Sequence, residues 1–258
     1  MSRNARSLQG AILPLVVLAL WQVTASNGTL PSYLASPWAV AKAIYELFGE
    51  KELMPAFRAS LYRVYTGFAI GAGFGLLVGL AAGTWKPLRH FFDPLVAFLF
   101  PIPKIAFLPV FLLLFGLGHG LIVSIISFSV FFPVFLSSRH AVLSVNPLFI
   151  WAARNMGTPA HIIFLRVLLP AIAPQAFTGL RVGLSMAFVL LFASELISAH
   201  EGLGTLISHG EEAARYDMML AGILCFAVAG FISDRILMAV RRRVLRGQTV
   251  GTIEAMQP

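Results

Sequence analysis

Charge is scarce in this chain. Asp, Glu, Lys and Arg make up 12% of its 258 residues, about half the share common in soluble domains. With 58% hydrophobic residues, an ordinary water-soluble globule is excluded, because too little polar surface exists to cover such a core. Cysteine is nearly absent: the single Cys225 lies in an apolar run, so one chain can build neither a disulfide framework nor a thiolate metal site. No glycine directly precedes a lysine, which excludes a GxxxxGK[ST] phosphate-cradling loop. The six histidines (His90, His119, His140, His161, His200 and His209) never stand at HxxxH or other ligand spacing, so no metal site is expected. Nor does a serine with a matched histidine base stand out, and intramembrane hydrolysis has no catalytic constellation to rest on. The net charge of +8 comes from short, scattered basic clusters and not from one basic and aromatic face, which speaks against a nucleic-acid partner.

What remains is apolar sequence in long runs. Lipid as solvent requires runs of roughly 20 residues that close their own hydrogen bonds as helices. The expectation is an all-α polytopic membrane protein, a single transmembrane domain over 1–258 with six transmembrane helices at about 8–25, 61–83, 95–115, 121–136, 177–197 and 218–240. The first run, preceded by Arg3 and Arg6, also has the build of a signal peptide, and we read it as an uncleaved helix. Residues 26–60 are mixed, and AVAKAIYELF within them predicts a short amphipathic helix. Basic residues of the short connections, such as Lys86, Arg89, Arg139, Arg154, Arg166 and Arg241, fall on one side if both termini are cytoplasmic.

Three features mark the spans. Gly67, Gly71, Gly75, Gly79 and Gly83 recur at every fourth position, which places them on one helix face where a second backbone can pack closely in lipid. PIPKIAFLP breaks the third span with Pro101, Pro103 and Pro109, and sets Lys104 near lipid depth. Lys104 either attracts an anionic solute or snorkels to the headgroups. Glu195, in FASELISAH, is either a functional or partnered buried acid or a rim residue in water. Ser185 and Ser194 read first as helix-packing hydroxyls, and Asp234 with Arg235 as interfacial ion pairs or headgroup contacts.

Between the fourth and fifth runs lies WAARNMGTPAHIIFLRVLLP, within a segment at about 146–170 that is too polar to span. Asn146-Pro147 is a helix-start signal, Gly157 can end that helix in the left-handed conformation, and Thr158-Pro159 offers a second cap. Leu148, Ala152 and Met156 share a face, as do Ile162, Ile163 and Val167. Physical reading alone leaves a docking knob and an interfacial helix pair as equal alternatives.

This segment resembles the EAA loop of ABC-transporter importer permeases, whose pattern is E-A-A, three residues, Gly, nine residues and I-x-L-P. Ala152, Ala153, Gly157, Leu169 and Pro170 fall on it without a gap, Val167 stands for the isoleucine, and Trp151 replaces the glutamate. PIPKIAFLPVFLLLFGLG, LPAIAPQAFTGLRVGLSMAF, SELI, EGLG and RYDMMLAGILCFAVAGFISD look like the nitrate, sulfonate and taurine branch. The resemblance implies a type I-like permease fold in a bacterial inner membrane. It also implies work as a pair with a second copy, two cytoplasmic ATP-binding subunits that hold the ATP and Mg, and an extracytoplasmic solute-binding protein. It makes Trp151, Ala152, Ala153, Arg154, Gly157, Val167, Leu169 and Pro170 the ATPase-coupling loop. Lys104, Arg181, Ser185, Ser194 and Glu195 are the candidates for a translocation path, and the cargo is a small anion. A secondary transporter or channel driven by ion gradients is the alternative, and it would want paired intramembrane carboxylates.

Overall fold

A computed structural model describes residues 3–31, 33–198 and 201–246, with side chains from Ile12 onward. His200 and the last residues of the C-terminal tail, whose cytoplasmic side is one of the expectations, lie outside the described residues. Among the described residues there are helices and turns and no strand, so the fold is all-α.

The chain opens with α1 (Arg3–Ser26), whose described apolar stretch, Ile12–Ser26, is shorter than the roughly 20 residues that cross a bilayer. α2 (Pro37–Gly49) starts where Ser36 Oγ accepts the Ala39 N–H at 3.2 Å and Pro37 takes the first position. Val40, Ala43 and Leu47 bury one face of it, the amphipathic pattern read from the sequence. α3 (Leu53–Thr84) contains the second apolar run.

The third run differs from expectation. Instead of one kinked span at 95–115, α4 (Lys86–Leu99) and α5 (Leu108–Phe115) are two arms bent by 96°, joined through a 3₁₀ turn at Lys104–Phe107. Pro101 and Pro103 remove the backbone donors on either side of Ile102, so the first helix cannot be continued through them. Gly116 (φ 67°) and Gly118 (φ 129°) then turn the chain into α6 (His119–Ser144). α7 (Pro147–Asn155), α8 (Ala160–Ile163) and α9 (Leu169–Ser198) follow. α10 (Leu203–Glu212), which hydropathy does not announce, precedes α11 (Tyr216–Val244). Four helical stretches are long and apolar enough to cross a membrane (Leu53–Thr84, His119–Ser144, Ala160–Ser198 and Tyr216–Val244), and the bent pair would make a fifth.

The described residues form two compact units. The first comprises those of Met1–Leu61 and Glu195–Val228. In it Arg215 joins Glu46 at 3.0 Å and Asp217 at 2.9 Å. These hydrogen bonds, Asp217's foremost, push the guanidinium further above its ordinary range, so this pairing keeps its cation at every pH the protein meets.

The second unit comprises those of Tyr62–Ser194 and Ala229–Pro258. Here the glycine ridge of α3 lies directly on α6. A β-carbon on Gly67 would stand 2.7 Å from Ile126, one on Gly75 2.8 Å from the Phe131 carbonyl, one on Gly79 2.7 Å from the Phe135 carbonyl, and one on Gly83 2.5 Å from Val142. Gly71 meets the Ser127 backbone in the same way. Such backbone contact replaces the hydrophobic effect that lipid cannot supply. Phe128, Phe131, Phe132 and Phe135 of α6 stack into an aromatic layer that packs on Val96 and Phe92 of α4.

Candidate functional site

The segment at 146–170 is built by local capping. Asn146 Oδ1 accepts the Leu148 N–H at 3.0 Å and Pro147 begins α7. Gly157, at φ 72°, ends it in the left-handed region, where its N–H reaches the Arg154 carbonyl at 2.9 Å and the Thr158 N–H reaches Ala153 at 3.1 Å. The second cap differs from expectation: Pro159 itself holds the N-cap position of α8, in extended backbone, and the Thr158 side chain makes no cap bond.

The second arm is also not a separate short helix. α8 passes through a π turn at Phe164–Leu168 into α9, giving one helical stretch of 39 residues from Ala160 to Ser198. Pro170 explains the π turn. It has no N–H to give to the carbonyl four residues back, and the Leu169 N–H reaches five residues back to Phe164 instead. Val167, Leu169 and Pro170 therefore lie in or beside this wide turn, with Ile163 and Leu168 buried.

α7 packs little of its apolar surface. Trp151 is 57% and Met156 78% exposed, and Leu148 and Phe149 are exposed beside them. Ala152 is exposed and Ala153 half-buried. Arg154 and Ile150 turn over a cavity of about 430 Å³ that Gly83, Thr84 and Val142 also line.

The break between α4 and α5 borders a second cavity, of about 630 Å³, lined mostly by apolar side chains with Ser129, Ser185 and Lys104 among them. Lys104 lines this cavity and is tied to the backbone beside it. Its Nζ donates to the carbonyls of Leu99 (3.0 Å), Phe100 (2.8 Å) and Ile102 (2.7 Å) and lies 4.7 Å from the centre of the Phe132 ring. All three ammonium protons are used, on the Phe100 and Ile102 carbonyls past the end of α4 and on the Leu99 carbonyl, which also accepts the Ile102 N–H at 3.3 Å. Lys104→Met is expected to cost about 1–2 kcal/mol of stability, read as a lower melting temperature in detergent, with the KM for an anionic solute unchanged. A raised KM at an unchanged melting temperature would contradict the cap role.

Of the other path candidates, Ser185 donates to the Arg181 carbonyl at 3.2 Å, and Ser129 Oγ is buried with no partner and lines the cavity. Arg181 is elsewhere, forked onto Asp234 at 2.7 and 3.1 Å. Ser194 is fully buried and Glu195 is only 1% exposed, so the rim reading of the acid does not hold. Glu195 instead takes the Ser60 hydroxyl at 2.9 and 2.8 Å and the Gly204 N–H at 3.0 Å, while Ser60 Oγ accepts the Leu203 N–H at 2.9 Å. The carboxylate thus sits at the start of α10, where free N–H groups and the helix dipole favour negative charge.

One buried cation escaped the sequence reading. Arg63, 2% exposed within α3, donates its Nε–H to His119 Nδ1 at 3.0 Å. An arginine inside the apolar LYRVYTGF was the available signal.

Comparison with known proteins adds to this geometry. Residues 71–246 match the family model described as binding-protein-dependent transport system inner membrane component. The chain is 30% identical to a putative aliphatic sulfonates transport permease protein, SsuC, of Bacillus subtilis, over 93% of this chain and 87% of that one. It is 32% identical to the taurine transport system permease protein TauC of Escherichia coli (89% and 86%). Identity is 26% to the bicarbonate transport system permease protein CmpB of Synechococcus elongatus (93% and 92%). Among solved structures, an inward-facing form of the MetNI methionine ABC transporter aligns with a TM-score of 0.54 at 17% identity, covering 81% of this chain and 97% of that chain.

Proposed function

The chain belongs to the binding-protein-dependent transport system inner membrane component family, and from that premise we propose that it carries a small organic anion of the sulfonate or taurine kind through a bacterial inner membrane. It is a permease subunit of an ABC importer, a multi-pass membrane protein that works with an ATP-binding partner and a solute-binding protein. ATP hydrolysis belongs to the partner.

In our reading two copies pair, two ATP-binding subunits hold the ATP and Mg, six helices span the bilayer, and both termini are cytoplasmic. The observation that carries the coupling role is the exposed apolar surface of α7, set at one end of a continuous helix that runs to Ser198. An exposed aromatic and methionine patch outside lipid is a protein-binding surface. A stiff helix behind it converts motion of the bound ATPase into tilt within the membrane. Trp151 then serves as an aromatic anchor where the family pattern has an acid.

The relatives' sulfonate and taurine names support the cargo class. The mostly apolar cavity at the broken helix, with the unpartnered Ser129 hydroxyl, suits a solute with an alkyl body and an oxyanion head. An ion-gradient mechanism would need a free intramembrane carboxylate, and Glu195 is instead engaged by Ser60 and α10.

The test is uptake of an alkanesulfonate by vesicles that carry this chain, its ATP-binding subunit and its binding protein. Uptake is expected only with ATP, and Trp151→Asp is expected to lower co-purification of the ATP-binding subunit at least about tenfold. Uptake driven by a proton or sodium gradient without ATP would defeat the proposal.

A further inference from the structure

Beyond the transport role, we propose that the cleft between α9 and the C-terminal part of α11 is a phosphate-binding site, and that its ligand is the headgroup phosphate of an anionic membrane lipid. Asp234 and Arg241 are seven residues apart, as are Arg235 and Arg242, which gathers them on one side of α11, and Arg246, in the turn that follows the helix, lines the same cleft. Arg181 of α9 faces them across a cleft of about 640 Å³.

The charge in this cleft is unbalanced. Among the described residues, five guanidinium groups meet one carboxylate, and that carboxylate is taken bidentately by Arg181. Arg235 lies over the Phe231 ring at 4.7 Å, a contact that occupies its face and leaves its N–H edge free. Among the described residues, Arg235, Arg241, Arg242 and Arg246 have no carboxylate partner. The carbonyl end of α11 offsets some of the repulsion between them but supplies no counter-ion. A ligand carrying phosphate oxygens does, because guanidinium forks match them two bonds at a time.

The neighbouring surface identifies the source of the phosphate. On the cleft's own face Met238 lines it, and the exposed ring of Phe231 stands one turn before Arg235. A free phosphate or phosphorylated solute has no use for that apolar surface, whereas a lipid lays its acyl chain along it while the headgroup enters the cleft.

The test uses the purified full chain in detergent, with native mass spectrometry counting bound phosphatidylglycerol against phosphatidylcholine. The wild type is expected to retain phosphatidylglycerol about tenfold more strongly, and less so at high salt. Arg241→Gln/Arg242→Gln/Arg246→Gln is expected to erase the preference, and Arg246→Gln alone, the milder variant, to weaken it several-fold. Arg243→Gln, equal in charge but outside the cleft, is expected to keep it. Equal retention of both lipids by the wild type, or an equal loss with Arg243→Gln, overturns the site. A final arm adds millimolar sodium phosphate: release of the lipid only at high phosphate supports the lipid headgroup, and phosphate binding without any lipid preference overturns that source.

Discussion

Gly157→Pro is expected to cut ATP-driven uptake roughly 100-fold while the protein still inserts into the membrane. Gly157 sits at φ 72°, and proline is fixed near the opposite sign, so the corner between α7 and α8 must open. The substitution also deletes the N–H that reaches the Arg154 carbonyl. Nothing lies within 4 Å of the position where a β-carbon would stand, so crowding is not the cause. The effect comes from the backbone, through its conformation and its lost N–H, and that gives the experiment its control. Gly157→Asn, whose short polar side chain tolerates the left-handed region, should retain most of the uptake, and Gly157→Ala should fall between, at a cost of about 1 kcal/mol. Uptake and membrane yield measured side by side separate a lost lever from lost protein. Normal transport by the proline variant would show that the corner does not transmit the partner's motion.

The second large effect is expected at the start of α10. Glu195→Ala removes the acceptor of the Ser60 hydroxyl and the Gly204 N–H, both buried, and should lower stability by about 3 kcal/mol. Glu195→Gln keeps one carbonyl oxygen and should lose less. Gly202→Ala should be comparably damaging, because its β-carbon would stand 2.5 Å from Glu195 Oε1 and 2.7 Å from Oε2, at a φ of 126° that side chains avoid. The double variant distinguishes packing from general fragility. With the carboxylate gone the collision disappears, so Glu195→Ala/Gly202→Ala should melt well above the value expected from adding the two losses. Simple additivity in thermal melts would mean that Glu195 and Gly202 are not one device.

This arrangement also explains why EGLG reads as it does. Gly202 admits the carboxylate, and Gly204 both offers its N–H and leaves room for the Glu195 side chain. The sequence showed two glycines beside Glu201 without showing that they serve Glu195, which stands seven residues before Gly202 and whose other partner, Ser60, is far back in the chain.

Other elements divide along the same line. Short-range signals were legible: the Asn146-Pro147 start, the left-handed Gly157, the amphipathic α2 and the apolar runs inside α3, α6, α9 and α11. Each depends on a residue's own backbone preference or on periodicity within one helix. The glycine register predicted a packing ridge, although only the folded structure sets α6 on it. The right-angle break of the third run was announced by its prolines as a kink, but its size depends on what can satisfy the freed carbonyls. That agent is Lys104, whose bonds to the backbone were not among its sequence readings.

By itself, then, the sequence determined that this protein lives in lipid as helices, where the capped helix α7 begins and ends, and which spaced residues resemble a coupling loop. These follow from scarce charge, run length and local stereochemistry, all of which are properties of neighbouring residues. Only the tertiary structure decided that the second arm of that loop is the first part of a transmembrane-length helix, that Lys104 closes a helix end, that Glu195 is buried against α10, and that three arginines of α11 and Arg246 after it share a cleft in which Asp234 is the one carboxylate among the described residues. A buried polar group takes whatever partner the fold brings within about 3 Å. Residues far apart in the chain supply that partner, and spacing along the chain carries no record of it.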